Sequence, residues 1–202
     1  QCEGFPAHRC QDRRPVECGR VRRHSIEVLS HQNLTEADLR GLRQLFDNEY
    51  QEFGKWDPHL PYGYAPHDVH IMARIEGRVV GHVGWGRREI TVGTETLAIA
   101  GVGGVLVSAD ARGMRLGSEL MSWAAQSMRD RGRVAFGYLG CREPVVPFYE
   151  SCGWTRIRAR ERSVGCEGEP VVQEPGPPIL VLPVAPLEMW PEGDINLRGR
   201  AW

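Results

Sequence analysis

The chain has 202 residues, a formal net charge of −1 and 41% hydrophobic residues. This suits one folded domain and argues against nucleic acid as the main partner. It has no uninterrupted apolar run of the ~18 residues a membrane span needs, so no membrane partner is expected. Its six cysteines are spread thinly, and a reduced, cytoplasmic setting is expected.

Residues 1–24 are basic and irregular and are expected to form a flexible leader without the apolar core of a secretory signal. Cys2, Cys10 and Cys18, with His8 between them, lack the paired spacing of a zinc module, so no metal is expected there. "SIEVLS" (25–30) alternates and predicts a first strand. Thr35 then precedes acidic residues and a run of Leu39, Leu42, Leu45 and Phe46 at helical spacing, predicting a capped helix that ends near Gly54. "KWDPHLPYGYAPHD" is too rich in proline and aromatics, and too long, to be a mere connection. "PYGYAPHDVH" within this region is either a lid over the site or only a longer loop. His59, His67 and His70 are spaced too irregularly for a metal set and are expected at the surface.

"HIMARI" and "RVVGHVGWG" flank Glu76-Gly77 and predict a hairpin, which "REITV" and "ETLAIAGVGGVLV" extend as an antiparallel meander. A helix follows with Leu116, Leu120, Ala124 and Met128 as its buried stripe. "VAFGYLGC" reads as a strand, "EPVVPFYESCG" as a short helix and "WTRIRARERS" as one further strand. A glycine- and proline-rich loop spans 165–178 before the last strand, "ILVLPV", and the tail from 185 shows little regular pattern. The order predicts an α/β single domain with a mixed, mostly antiparallel sheet flanked by helices.

The stretch "DARGMRLGSELM" (110–121) concentrates arginine and glycine where the second helix begins. A helix start has unsatisfied N–H groups and the positive end of the peptide dipole, so it can seat a phosphate. No nucleotide-loop pattern is present. Glycines in the preceding strand, 102–107, are read as marking close approach of an extended ligand arm.

These segments resemble the GNAT superfamily of acyl-CoA-dependent N-acyltransferases, whose loop reads [Q/R]-x-x-G-x-[G/A]. Here it is Arg112-Gly113-Met114-Arg115-Leu116-Gly117, with Arg115 in place of the usual glycine. "ARIEGRVVGHVGW", "GGVLVSADARG" and "PFYESCGW" match further elements, and the likeness covers residues 25 to about 185. It implies a GNAT domain over 25–202 that uses acetyl-CoA and no metal. Val105 and Val107 would hold the pantetheine arm, and Arg112, Gly113, Met114, Arg115, Leu116, Gly117 and Ser118 the pyrophosphate. Tyr149 would be the general acid for the departing thiolate.

A closer resemblance is to aminoglycoside 2′-N-acetyltransferases, through Arg112 to Leu116, Tyr149 to Trp154, Phe46 to Tyr50, and Trp190, Gly193 and Asp194. Two departures are Gly103, where those enzymes carry a glutamate, and a tail about six residues longer. The likeness implies acetylation of the 2′-amine of an aminoglycoside or related aminosugar such as kasugamycin, conferring resistance. Glu49 and Asp194 are the candidate bases, with His82 a weaker one. Glu49, Trp56, Trp190 and Asp194, helped by Glu52 and Asp57, would bind a polycationic sugar. The tail "PLEMWPEG" also resembles nodulation N-acyltransferases, which acylate a chitooligosaccharide amine. Other readings are acetylation of a protein N-terminus or lysine, and a non-catalytic acyl-CoA-binding sensor. An exposed strand edge is a candidate for homodimer pairing.

Overall fold

The structure is a computed structural model and describes residues 23–186 and 188–202. The cysteines and histidine of the leader lie outside these residues, whereas His24 opens the first strand, β1 (His24–Ser30). α1 (Glu36–Glu49) starts where Thr35 and Asp38 cap each other reciprocally, which satisfies two N–H groups that the first turn leaves open. β2 (Val69–Ile75) and β3 (Arg78–Val92) join through Glu76-Gly77, both at positive φ, in a two-residue turn that matches strand twist. β3 is one continuous strand of 15 residues, not two. β4 (Glu95–Val107) pairs along it in antiparallel register.

α2 (Leu116–Ser127) follows, then β5 (Phe136–Gly140), α3 (Val146–Ser151) and β6 (Thr155–Ile157). β7 (Glu161–Val164), β8 (Pro170–Gln173), β9 (Ile179–Pro183) and β10 (Ile195–Arg200) complete the chain. The sheet runs β6-β9-β5-β4-β3-β10-β7-β8. β3 is a branch point: its first half pairs with β2, which carries β1, and its far end pairs with β10 on the same edge.

Alternation along the strands sends neighbours to opposite faces. Met72 and Val79 pack beneath Leu42 and Phe46 of α1, whereas Ile71, Ala73 and Val80 pack with Leu116, Leu120 and Ala124 of α2. Mixed pairing with helices on both faces confirms the α/β single-domain expectation.

Three expectations from the sequence are corrected. "WTRIRARERS" is not one strand: it breaks after Ile157, so that β6 pairs with β9 while β7 pairs with β8 and β10. The 165–178 loop contains β8. The tail, read as irregular, supplies β10, which lies between β3 and β7 near the middle of the sheet. Its Ile195 and Leu197 are fully buried; alternation over so few residues is too short to stand out in sequence.

Four strand glycines have a cause within the protein itself. Gly86 faces Gly101 across the β3–β4 ladder, and Gly84 faces Gly103. A Cβ on Gly101 would come within 2.0 Å of the Trp202 ring, and one on Gly84 within 2.4 Å of the His67 ring. The glycines thus clear seats for two of the protein's own rings. Arg88 lies 3.9 Å over the other one's ring system at Trp202, a cation–π contact that holds the indole in place.

Gly101→Ala should therefore lower stability in urea denaturation by about 3 kcal/mol, as overpacking does. Combining it with Trp202→Ala should give a loss smaller than the sum of the two by more than about 1 kcal/mol.

Candidate active site

β4 and β5 run parallel and pair only over Ile99–Gly101 and Phe136–Tyr138. Beyond these residues they part, and a cavity of about 570 Å³ opens between them. Val102 to Val105 form one wall and Tyr138 to Arg142 the other, with Tyr149 of α3 beside them. Where a strand edge loses its partner, its N–H and C=O groups are available to an extended ligand.

Opposite this edge β4 bulges. His82 pairs with Leu106 and Gly84 with Gly103, leaving two residues of β4 against one of β3. Gly104 takes φ +59, and a Cβ there would also press on the His82 and Phe46 rings at 3.0 Å. Glycine is needed for both reasons. The bulge's carbonyl is fixed from behind, because His82 Nδ1 donates to Gly104 O at 2.7 Å.

Tyr149 is buried, and burial raises its phenol above the ordinary value, so it stays protonated and able to donate. The loop before α2 is arranged with Arg115 at φ 61 and Gly113 at φ 83, leaving the first-turn N–H groups without helical partners. Arg112 is not a free arginine. Its Nη2 lies 2.5 Å from Glu49 Oε2, and its Nε reaches Val107 O at 3.3 Å. Arg115 is exposed and makes none of the described ion pairs.

The structure does not bring the other expected residues to the cavity. Glu49 also accepts from Ala109 N at 2.8 Å, so its carboxylate braces the loop and lies outside the cavity wall. Asp194 sits by Arg160 and Arg162 at 3.8 and 4.0 Å, outside the cavity wall. Trp56 is buried in a stack on Phe46, with centroids 5.0 Å apart. Trp190 packs behind the wall, on Phe136 and Tyr138. Asp57 accepts from His59 N in its own loop and lines no part of the cavity.

Of the acidic residues expected to attract a polycation, only Glu52 lines the cavity. The second carboxylate is Glu161 on β7, which the sequence reading missed. It accepts a hydrogen bond from the Tyr138 hydroxyl. Burial raises its carboxyl above the ordinary range and outweighs the opposing effect of that bond. Tyr62 of the long loop also lines the cavity, and its buried hydroxyl has no hydrogen-bond partner among the described residues.

His59 is exposed as expected, whereas His67 and His70, expected at the surface, are buried together with His82. Burial first, and neighbouring imidazoles second, push them down to about 3, about 2 and about 3. His82 is therefore uncharged near neutrality, and its Nδ1 is already committed to Gly104. No signal short of the strand register could have gathered these three from separate segments.

Parted parallel strands beside a bulge, followed by a glycine-bearing helix start, make up a GNAT-type fold. Escherichia coli ElaA is 20% identical and similar in fold over 79% of this chain and 99% of its own, with a TM-score of 0.58. The E. coli GNAT family N-acetyltransferase YhbS, solved in complex with CoA, is 19% identical over 87% and 89% (TM-score 0.55). A GNAT family acetyltransferase from Brucella melitensis, in complex with acetyl-CoA, is 15% identical over 86% and 96% (TM-score 0.55). No curated protein matches the chain by sequence. The chain belongs to the nodulation protein A (NodA) family, whose model matches residues 25–200. The likeness to aminoglycoside 2′-N-acetyltransferases gains no support from these matches. Among the described residues no helix is long and apolar enough to cross a membrane.

Two outcomes follow from these contacts. Glu49→Gln should weaken acyl-CoA binding about threefold to tenfold in KM with kcat nearly unchanged, since it braces the loop without touching the reacting atoms. For Glu161 the folded carboxyl keeps its proton above 4.5, where the unfolded one has lost it. Its contribution to stability is thus present at low pH and lost as pH rises from about 4.5 through the folded value. Urea midpoints measured at pH 4 and pH 7 should show Glu161→Gln gaining stability relative to the parent as pH rises.

Proposed function

We propose that the protein transfers an acyl group from an acyl-CoA thioester to the primary amine of an amino sugar of the chitooligosaccharide type. The observation that carries the acceptor class is the cavity's charge. Among the described residues its wall carries two carboxylates, Glu52 and Glu161, and one arginine, Arg142. A polycationic aminoglycoside calls for more negative charge than this, whereas a sugar with one reactive amine needs a single acidic partner. Aromatic faces from Tyr62, Tyr64 and Trp202 on the same wall suit sugar rings. Membership of the NodA family supports the same reading.

In this reading the pantetheine arm lies along the free β4 edge at Val105 and Val107, and the pyrophosphate sits on 112–118 with Arg115 as its free cation. Glu161 receives a proton from the acceptor ammonium, leaving a neutral amine. The amine nitrogen attacks the thioester carbonyl, and a bulge N–H stabilises the oxyanion. The C–S bond then breaks, the thiolate takes its proton from Tyr149, and the second nitrogen proton leaves the new amide to reprotonate the tyrosinate, while Glu161 returns its proton to solvent. The raised Glu161 value makes that carboxylate a stronger proton acceptor, and Tyr149 is protonated near neutrality and able to donate once sulfur charge develops.

Tyr149→Phe should lower kcat about 10²-fold while leaving acyl-CoA binding within about twofold, measured by thiol release and by calorimetry. Tyr62→Phe should raise the acceptor KM several-fold and leave the donor KM unchanged, because a hydroxyl bond worth about 1 kcal/mol is lost. Thiol release against a deacetylated chitooligosaccharide, 2′-amino aminoglycosides, kasugamycin and a lysine peptide checks the acceptor. Turnover confined to the aminoglycosides, or to the peptide, would overturn the proposal.

A further inference from the structure

Three imidazoles meet beneath the Gly104 bulge. His67 comes from the long loop, His70 from β2 and His82 from β3, and one ring nitrogen from each lies within 4.8 Å of the others. All three are at least 95% buried, on the α1 face of the sheet, where the Phe46 ring is 5.2 Å from that of His82. Placing polar rings in such a position costs stability unless something engages them. The sheet also gives up side chains to make the space, since Gly84, Gly103 and Gly104 each leave room for one of these rings.

We propose that His67, His70 and His82 form a binding site for a divalent transition ion of the zinc class. His70 Nδ1 and His82 Nε2 are 3.0 Å apart, close to the ~3.3 Å edge of a tetrahedron with metal–nitrogen bonds of about 2.0–2.1 Å. The far nitrogens of both rings are already anchored. His82 Nδ1 donates to Gly104 O at 2.7 Å, and His70 Nε2 lies 3.0 Å from His31 Nδ1. Metal-ligating histidines are oriented by such outer contacts.

Metal binding at this site needs no net loss of protons. A carbonyl only accepts, so His82 carries its proton on Nδ1 and offers a lone pair at Nε2. Without metal, His70 donates to it from Nδ1. On binding, the His70 proton moves to Nε2 and is shared with His31, whose own proton shifts to its half-buried outer nitrogen, and none is released. The all-imidazole set, with no carboxylate among the three, selects zinc-class ions over magnesium or calcium. His67 also lines the cavity, which gives an ion a path to the site from that side.

The test is Co²⁺ titration of the full chain after chelator treatment, followed by visible absorption. One equivalent should give the intense visible bands of a tetrahedral nitrogen-rich site without a thiolate charge-transfer band, which separates it from the leader's cysteines. Zn²⁺ should displace the cobalt and raise Tm. His70→Gln and His67→Gln should abolish the spectrum; His67, at the cavity wall, is the variant less exposed to a folding failure, checked by circular dichroism. Absence of a one-equivalent spectrum, a thiolate band, or a spectrum that survives both substitutions in folded protein would overturn the proposal.

Discussion

Everything that makes this molecule a site follows from where two parallel strands stop pairing. β4 and β5 share three residue pairs, Ile99–Gly101 against Phe136–Tyr138. Their further parallel ladder is replaced by a gap into which both strands present backbone. β5 keeps its other partner, β9, along its whole length, and β4 keeps β3. Each strand is thus held firmly from outside while its inner edge stays free. A gap bounded by rigid strands can hold a thioester in fixed orientation, which a loop-built cleft does less well.

The same rigidity explains the glycines. A long β3–β4 ladder leaves little freedom to move backbone aside, so any ring lying across it requires the absence of a Cβ. Gly84 with Gly103, and Gly86 with Gly101, are cross-strand pairs, so each seat is two residues wide. One holds His67 and the other Trp202. Read along the chain, these glycines point equally well to a ligand arm; only the cross-strand register shows that the protein fills the space itself.

Charge is likewise decided by contacts and not by counts. Glu49 spends its two oxygens on Arg112 and Ala109 N, and Asp194 lies between arginines. Acidic residues paired in this way have part of their charge offset by neighbouring arginines. Glu161, isolated from any described ion pair and bonded only to the Tyr138 hydroxyl, keeps a raised affinity for a proton at the cavity wall. The residue best suited to take a proton is therefore one whose sequence surroundings, "RARERSV", are the most ordinary in the chain.

Local signals determined local structure. The capping pattern at Thr35, the Glu76-Gly77 turn, the stripe of α2 and the Arg112–Gly117 loop were all legible because each depends on residues within about one helical turn or one hairpin. Tyr149, singled out through a motif of the same kind, lines the cavity. β10, β8, the break between β6 and β7, Glu161 and the histidine cluster were not legible. Each depends on partners between roughly ten and a hundred residues away in the chain. Sequence periodicity encodes which face of an element is apolar, not which element it meets; the tertiary fold alone decided which acids were neutralised, which glycines were filled and which histidines converged.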